Sequence, residues 1–287
     1  MNTTQQQHKA ETFRALHSGN EILLLPNIWD VAGARIIEEA GFPALATTSA
    51  GIAFALGYPD GEKISREEML SVVARITRAV SVPVTADVES GYGPSPKDAA
   101  VTAQAVIEAG AVGMNLEDSP GDSGKPLAEL VLQLEKIHAI RETASRLKVP
   151  LVLNARTDVY LHQVGDPASR YDETIRRLHA FRDAGADCVF VPGLRDEPTI
   201  RRLVADLKCP VNILAGPGSP SVKELHKLGV ARVSLGSGPM RATLGLLRRL
   251  GYEIKTQGTY DALQDAPSHA EVNRLLAHPA GELRTGN

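Results

Sequence analysis

The chain has 287 residues, 43% of them hydrophobic, and a formal net charge of -3, which suits one large folded domain or two small ones. This charge offers no basic surface for nucleic acid or anionic lipid, and no apolar run approaches the roughly 20 residues of a membrane helix. Cys188 and Cys209 form no CxxC pair, so both are interpreted as packing residues and a reducing cytoplasm is the expected location.

Short apolar runs alternate with helical patterns along most of the chain. Each run is continuously apolar, which is typical of parallel strands covered on both faces. Eight βα units predict an α/β fold, a (β/α)8 TIM barrel, with a doubly wound open sheet as the alternative, although no GxGxxG follows the first run. The predicted strands cover residues 22–25, 44–47, 82–86, 112–116, 151–155, 188–191, 211–214 and 232–235.

Helix ends and the end of the barrel also have sequence signals. Glycine follows a helical pattern and precedes a strand at positions 41, 110, 185 and 229, and Ser65 and Ser95 are suited to cap helices. The βα rhythm stops near residue 250, so we expect a barrel domain over residues 1–250. Residues 251–287 would form a tail with a short helix at 271–276, which packs on the barrel or on another subunit.

Two carboxylates, Asp87 and Glu89, follow the third predicted strand. Side chains alternate along a strand, so both are expected to point the same way, and like charges at one strand end need a cation between them. Glu117 ends the next strand, so one Mg²⁺ or Mn²⁺ ion would meet all three acids. Acids also cap the helices that follow strands, and for Glu117 alone that interpretation is equally good.

Arg156 follows a strongly apolar predicted strand, where a guanidinium needs an anionic partner. One interpretation is recognition of a substrate carboxylate by the planar fork of the side chain. The other is an internal ion pair with Asp158 or Glu117. Both can hold together, because such pairs often surround a metal site.

Turns after three other predicted strands contain small residues that suit anions. Thr48, Ser49 and Ala50 follow the second strand and would offer backbone N–H groups to an anion, although small residues are common in such turns. Glycines in residues 216–219 and 236–238 follow the last two strands, where barrels often bind phosphate. These glycines support a rival hypothesis, a barrel that binds a phosphorylated metabolite.

Several of these segments, in the same order, resemble the isocitrate lyase and phosphoenolpyruvate mutase superfamily. The resemblance implies a barrel whose last helix is often swapped between subunits of a homo-oligomer, a dimer or a tetramer. It further implies Mg²⁺ (or Mn²⁺) and a small-molecule carboxylate, a 2-oxo acid or its enolate. It covers about residues 23–250, and its motifs are Asp-Val-Ala-Gly-Ala-Arg at 30–35, Thr-Ser-Ala-Gly at 48–51, Gly-Tyr-Pro-Asp at 57–60, Asp-Val-Glu-Ser-Gly-Tyr-Gly at 87–93, Leu-Glu-Asp at 116–118 and Asn-Ala-Arg-Thr-Asp at 154–158.

The resemblance also implies a role for individual residues. Asp87 matches the direct metal ligand, and Arg156 matches the group that binds substrate oxygen. Asn212 matches a substrate-contacting asparagine of the lyase branch. The ligands that act largely through water match Asp60, Glu89 and Glu117, and the backbone clamp for the carboxylate matches Thr48, Ser49 and Ala50.

The chain departs from the family in the loop after the Glu-Asp pair. The family's lyases have a Lys-Arg/Lys-Cys-Gly-His signature there, whereas residues 119–126 of this chain read Ser-Pro-Gly-Asp-Ser-Gly-Lys-Pro. The Asn or Thr of the phosphonate branches is also missing from this loop. The chain therefore resembles methylisocitrate lyase-like and oxaloacetate decarboxylase-like members without the loop cysteine, and the loop, with Asp122 and Lys125, is predicted to be a lid that excludes water.

The function that remains is stabilisation of an enolate. We predict a Mg²⁺-dependent lyase or decarboxylase that cleaves a C–C bond in a small 2-oxo or 2-hydroxy carboxylic acid through a metal-stabilised enolate. Decarboxylation needs no strong protein base, whereas a 2-hydroxy acid needs one, for which Tyr58, Tyr92, Lys125 or a metal-bound water are candidates. The alternatives are a C–P bond enzyme acting on a phosphonate such as phosphonopyruvate, and a non-catalytic metabolite-binding barrel.

Overall fold

The computed structural model of the protein describes residues 3–120 and 124–277. Its strands are all parallel, in the order β1-β9-β8-β7-β6-β5-β4-β3-β2. Each of the eight predicted apolar runs contains one strand, which confirms the predicted strands. The strands are β1 (Leu23–Leu25), β2 (Asn27–Ile28), β3 (Leu45–Thr47), β4 (Val84–Asp87), β5 (Gly113–Glu117), β6 (Val152–Arg156), β7 (Cys188–Val191), β8 (Val211–Leu214) and β9 (Arg232–Ser234).

The first barrel strand is split at Pro26 into β1 and β2, because proline has no N–H to give to a ladder. The half before Pro26 pairs with β9 and the half after it pairs with β3, so together they close the sheet into a barrel. Asn27 strengthens this seam, since its side-chain oxygen accepts the N–H groups of Leu235 at 2.7 Å and Gly236 at 2.8 Å. The predicted TIM-type α/β barrel is confirmed.

Helices cover the outside of the barrel, and their ends follow the predicted signals. Ser65 accepts the N–H of Glu68, and Ser95 forms a reciprocal capping box with Asp98. The four predicted glycine ends all have positive φ, between 84° and 109°. The helices are α1 (Thr3–Leu16), α2 (Val31–Glu39), α3 (Ser49–Ala55), α4 (Arg66–Ala79), α5 (Pro96–Glu108), α6 (Leu130–Arg146), α7 (Arg170–Asp183), α8 (Glu197–Leu207), α9 (Val222–Lys227), α10 (Gly238–Thr256) and α11 (His269–Ala277).

Helix α1, which the strand pattern did not predict, covers the amino-terminal end of the barrel. Phe13 is fully buried and packs against Gly113, where an added Cβ would lie 2.7 Å from the phenyl ring. Gln6 donates to the carbonyl oxygens of Ile107 at 2.7 Å and Ala111 at 3.0 Å. The helix therefore closes the end of the barrel that is opposite the carboxyl ends of the strands.

The tail follows the predicted order of a loop and then a short helix. The predicted helix lies within α11, which packs on α2 of the same chain through a hydrogen bond from Arg35 to the carbonyl of Leu275 at 3.1 Å. The domain division at residue 250 and a swapped last helix stay predictions. Among the helices of residues 3–120 and 124–277, none has the length and apolar character needed to cross a bilayer.

Polar side chains fill part of the barrel interior. Arg232 is fully buried, and its terminal nitrogens lie 3.4 Å from Asn115 Oδ1 and 3.5 Å from His17 Nε2. Asn154 also donates to Asn115 Oδ1, at 2.8 Å. In the part of the chain that the structure describes, no carboxylate pairs with Arg232, and burial lowers the pKa of this guanidinium to about 10.

The buried imidazole of His17 gives a pH dependence to the stability of the fold. Burial, reinforced by the charge of Arg232, lowers the pKa of His17 from 6.5 to about 4. Between those pH values the unfolded chain binds a proton that the folded chain does not, so the free energy of unfolding falls as the pH falls. We expect this residue alone to cost about 2 kcal/mol of stability between pH 7.5 and pH 5.

Urea unfolding at pH 7.5 and pH 5 measures this effect in the wild type and in His17→Asn, whose amide can keep the bond to the Phe13 carbonyl. The variant is expected to lose less stability on acidification than the wild type. The control, His8→Asn, changes an exposed histidine of α1, the helix that precedes His17, and is expected to keep the wild-type difference. Equal pH dependence in all three proteins would contradict the prediction.

Candidate active site

Acidic and basic side chains meet at the carboxyl ends of β4, β5 and β6. Asp87 ends β4, Glu117 ends β5 and Arg156 ends β6, with Glu117 and Arg156 in register on neighbouring strands. Functional residues of TIM barrels gather at this face, because the loops after the strands converge there. The strand ends therefore bring together three of the residues that the sequence singled out.

Hydrogen bonds from neighbouring strand ends hold Asp87 in place. One carboxylate oxygen accepts the N–H of Ser49 at 3.1 Å and its hydroxyl at 2.9 Å, and the other accepts the side-chain amide of Asn115 at 3.2 Å. Asn115, which the sequence did not single out, is itself oriented by the donors from Asn154 and Arg232. These bonds from neighbouring strand ends fix the orientation of the Asp87 side chain.

Glu89 lies beyond the strand, so the alternation expected for Asp87 and Glu89 is wrong. Strand β4 ends at Asp87, and Glu89 has a positive φ of 52°. Its Oε2 accepts the backbone N–H of Glu62 at 2.5 Å. Among the described residues, its buried Oε1 has no hydrogen-bond partner.

The local charge around Glu89 is strongly negative. Burial, followed by the charges of Asp60, Asp87 and Glu62, raises the pKa of Glu89 to about 8. Partial desolvation and the charge of Asp87 also raise the pKa of Asp60, although that side chain is more exposed. The arrangement brings carboxylates close together with few positive charges between them, which is the property expected of a cation site.

Glu62 organises the turn after β4, and sequence reasoning missed it. Its Oε1 accepts the N–H of Ser90 at 3.1 Å, the hydroxyl of Ser90 at 2.7 Å and the N–H of Tyr92 at 2.8 Å. Its own N–H binds Glu89. No local sequence signal marks this residue, because the segments it joins are separated by more than 25 positions.

Arg156 forms ion pairs on two sides, as the internal-pair interpretation of the sequence expected, while its recognition of a substrate stays a prediction. It contacts Glu117 at 2.6 Å, and it meets the two oxygens of Asp158 at 2.6 Å and 3.1 Å. Its guanidinium also lies over the ring of Phe190, 5.8 Å from the centroid. Burial disfavours its charge, but Glu117 and Asp158 outweigh burial and raise the pKa of Arg156 above its usual value.

The three acids predicted as metal ligands do not form a closed cage. Within residues 3–120 and 124–277, no group of three or more Asp, Glu, His or Cys side chains could hold a metal ion. The physical reason lies in their partners, since Asp87 binds Ser49, Glu89 binds the N–H of Glu62 and Glu117 pairs with Arg156. The metal-binding role predicted for these three acids stays a prediction.

The predicted backbone clamp is partly occupied within the protein. The N–H of Thr48 donates to Ile28 at 3.1 Å, and the N–H of Ser49 donates to Asp87. Ala50 lies in the first turn of α3. The turns that suggested a phosphate site are also engaged within the protein, because Asn27 accepts the N–H of Gly236 and the hydroxyl of Ser219 accepts the N–H of Gly216.

The remaining site residues predicted from the sequence, where the structure describes them, have partners outside the cluster of Asp87, Glu117 and Arg156. Asn212 is fully buried in the barrel and donates to Ser234 at 3.1 Å. The hydroxyl of Tyr58 donates to Glu68 at 3.3 Å, and Lys125 pairs with Glu129 at 3.1 Å. Asp122 lies outside the described residues. The roles predicted for these residues stay predictions.

The cysteines have no place in the site. Cys188 is fully buried, and burial raises its pKa to about 12. Cys209 is partly buried, and burial raises its pKa as well. A reactive cysteine needs a lowered pKa, so both fit the predicted role in packing.

Comparison with known proteins agrees with the resemblance seen in the sequence. The model of the phosphoenolpyruvate phosphomutase family matches residues 13–255. An uncharacterized protein of Mycobacterium tuberculosis is 38% identical, over 81% of this chain and 84% of the relative. The 2-methylisocitrate lyase of Bacillus subtilis is 30% identical, over 95% of this chain and 91% of the relative.

Solved structures give the same result. A provisionally assigned lyase/mutase from Burkholderia cenocepacia J2315 is 41% identical and superimposes with a TM-score of 0.90, over 96% of this chain and 98% of that chain. The sequence match, the barrel and the polar strand ends agree, and they confirm the predicted enzyme superfamily. The chain therefore belongs to the phosphoenolpyruvate phosphomutase family.

Proposed function

We propose that this protein is a Mg²⁺-dependent lyase or decarboxylase that cleaves a C–C bond in a small 2-oxo or 2-hydroxy carboxylic acid. One observation carries the proposal, the partly buried guanidinium of Arg156 beside a cluster of carboxylates that includes Asp87 and Glu89. The guanidinium suits an anionic substrate, and the carboxylates suit a cation. The similarity to a 2-methylisocitrate lyase supports the same class of reaction.

The donor set fits a small divalent cation. Mg²⁺ keeps several of its waters and binds proteins through one or two carboxylates, so it needs no closed cage of three acids. Asp87 would be the direct ligand, and Asp60, Glu89 and Glu117 would act through water. The raised pKa of Glu89 and its unpartnered Oε1, observed in the described part of the chain, are features that a nearby cation would relieve. When bound, Mg²⁺ would supply Lewis-acid stabilisation of the charge that develops on a substrate oxygen.

Arg156 would bind the substrate and stabilise negative charge as the reaction proceeds. Its pairs with Glu117 and Asp158 fix the guanidinium before substrate arrives, so little reorganisation is needed during the reaction. In a 2-oxo diacid that loses CO₂, the breaking C–C bond leaves its electron pair on the carbon that becomes part of an enolate. A fixed positive charge beside the enolate oxygen lowers the energy of that step.

The proton that converts the enolate to the 2-oxo product must come from another group or from water. Tyr92 has a buried hydroxyl near Glu89 and Glu62, and burial raises its pKa above the usual range, so this hydroxyl holds its proton at neutral pH. Tyr58 and Lys125 remain the other candidates proposed from the sequence. Cleavage of a 2-hydroxy acid would require one of these groups, or water, to remove the hydroxyl proton first.

The assembly and the location are part of the proposal. Helix α10 carries large exposed apolar side chains, including Leu247 at 61% and Tyr252 at 68% exposure. Such a face supports a homo-oligomer, a dimer or a tetramer, in which the helix packs on another subunit. We further propose a cytoplasmic location, from the unpaired cysteines.

We expect metal-dependent turnover that requires Asp87. Proton NMR would follow purified protein with Mg²⁺ and oxaloacetate, 2-methylisocitrate, other 2-oxo diacids and phosphonopyruvate. Pyruvate or another 2-oxo product is expected, and EDTA or Asp87→Asn is expected to reduce its rate by at least about a hundredfold, because a neutral amide is a poorer ligand and a poorer counter-charge. The matched control is Asp172→Asn, an exposed acid of α7, which is expected to keep the wild-type rate.

The same panel separates the competing functions. Turnover of phosphonopyruvate alone would replace the proposal by a C–P bond enzyme. Mg²⁺-dependent line broadening of a 2-oxo acid without turnover would favour a metabolite-binding barrel. A 2-oxo product formed equally well with EDTA would contradict the role of the metal.

Arg156→Lys tests the substrate-binding group. Lysine keeps the charge, but its ammonium group lacks the planar set of donors with which the guanidinium can bind Glu117, Asp158 and a substrate oxygen together. We expect kcat/KM to fall by about a hundredfold or more in steady-state assays. The control is Arg170→Lys, which changes an arginine that donates to the backbone carbonyl groups of residues 163–165, and this variant is expected to stay near the wild type.

A further inference from the structure

Arg177, on α7, is an enclosed arginine behind the barrel mouth, and it is only 6% exposed. Its Nε donates to Glu173 at 2.7 Å, and one terminal nitrogen donates to Asp118 at 3.1 Å. Both terminal nitrogens donate to the carbonyl of Ala128 at 3.1 Å. A buried guanidinium is costly unless its donors are satisfied, so this set of partners defines one orientation of the side chain.

Asp118 connects Arg177 to the turn after β6. Its carboxylate is fully buried and accepts the hydroxyl of Thr157 at 2.7 Å and the backbone N–H of Asp158 at 2.9 Å. Arg177 places a positive charge 3.1 Å from this carboxylate and helps to hold it in place.

The next link leads into the proposed active site. Asp158, whose backbone is fixed by Asp118, holds the guanidinium of Arg156 with both carboxylate oxygens, at 2.6 Å and 3.1 Å. The side chain of Asp158 is itself fully enclosed. A continuous series of contacts thus runs from Arg177 through Asp118 and Asp158 to Arg156.

Arg177 also fixes Ala128, where the chain comes back beside the end of β5 before α6 begins. The N–H of Ala128 donates to the carbonyl of Asp118 at 2.7 Å, and Arg177 occupies the carbonyl of Ala128. Both backbone groups of this residue are therefore held beside Asp118. The guanidinium therefore joins Asp118, directly after β5, to Ala128, just before α6.

We propose that Arg177 is a positioning residue for Arg156, and that it sets the orientation in which the Arg156 guanidinium meets the substrate. The inference rests on the proposed function, in which Arg156 binds substrate oxygen. Arg177 donates to Glu173, Asp118 and Ala128, so it acts on Arg156 through Asp118 and Asp158. A change at Arg177 leaves Asp118 buried without its cation and loosens the turn that presents Asp158.

The test compares Arg177→Met, Arg177→Lys and the matched control Arg176→Met. Arg176 is the adjacent arginine of α7, also pairs with Glu173, at 2.7 Å, and is 54% exposed, but it does not reach Asp118. Steady-state kinetics would use the substrate found by NMR, on proteins shown to be folded by thermal melting. Hydrogen exchange followed by mass spectrometry would measure protection of the backbone over residues 156–160.

Arg177→Met is expected to raise KM about tenfold and to change kcat by less than about threefold, with faster exchange over residues 156–160. Arg177→Lys is expected to recover part of both effects, because it returns a cation to Asp118. Arg176→Met is expected to match the wild type. In an Arg156→Lys background, Arg177→Met is expected to have little further effect on KM, since both changes act on the same group.

The outcomes separate the inference from the proposed function. An unchanged KM in folded Arg177→Met and Arg177→Lys, or a lower melting temperature with no change in KM, overturns the positioning role and leaves the function intact. An effect on KM that persists fully in the Arg156→Lys background also overturns it. If the wild type turns over no substrate, the proposed function fails, and unchanged exchange over residues 156–160 in Arg177→Met would then overturn the inference independently.

Discussion

The guanidinium of Arg156 holds together the carboxyl ends of β5 and β6. It pairs with Glu117 from one strand and Asp158 from the turn after the other, and all three side chains are largely withdrawn from water. An ion pair in such surroundings is stable only when the remaining donors and acceptors are satisfied. The buried turn at Asp118 is therefore needed as much as the pair itself, because it fixes Asp158.

On the other side of the barrel mouth, uncharged donors hold the acidic side chains. Asp87 is held by a hydroxyl, a backbone N–H and an amide, and Glu89 is held by one backbone N–H. These contacts orient the two side chains but bring no positive charge to them. Positive φ values at Glu62, Glu89 and Tyr92, between 52° and 57°, accompany this arrangement. Backbone strain of this kind is tolerated where surrounding contacts fix the conformation, and it is common at functional sites.

The barrel was predictable from the sequence because its signals are local. The apolar runs, the serine caps and the glycine ends each depend on residues a few positions apart, and all appear in the structure. Helix α1 was missed because its buried residues, such as Phe13, are few and its remaining surface is polar. An amphipathic spacing of Ala10, Phe13 and His17 was the signal that could have revealed it.

The candidate site was predictable only in part, for the same reason. A guanidinium that follows an apolar strand needs an anionic partner in any fold, so Glu117 and Asp158 could be named as partners of Arg156 from the sequence. The contact of Glu62 with Ser90, by contrast, joins segments that only the folded barrel brings together. The alternation rule failed at Glu89 because it applies only within a strand, and the strand ends two residues earlier. Asn115 went unnoticed because an asparagine inside an apolar run has no signature until its neighbours are known.

The polar interior of the barrel limits how far this scaffold can be recombined with others. Asn115 on β5 bonds to Asp87 on β4 and receives a donor from Arg232 on β9, so one amide links early and late parts of the chain. A chimaera that took β1–β4 from a barrel with an apolar interior would remove Asp87 and leave the side-chain amide of Asn115 without this acceptor. Fragment exchange between such barrels would therefore have to transfer this asparagine, its arginine and the aspartate as one unit.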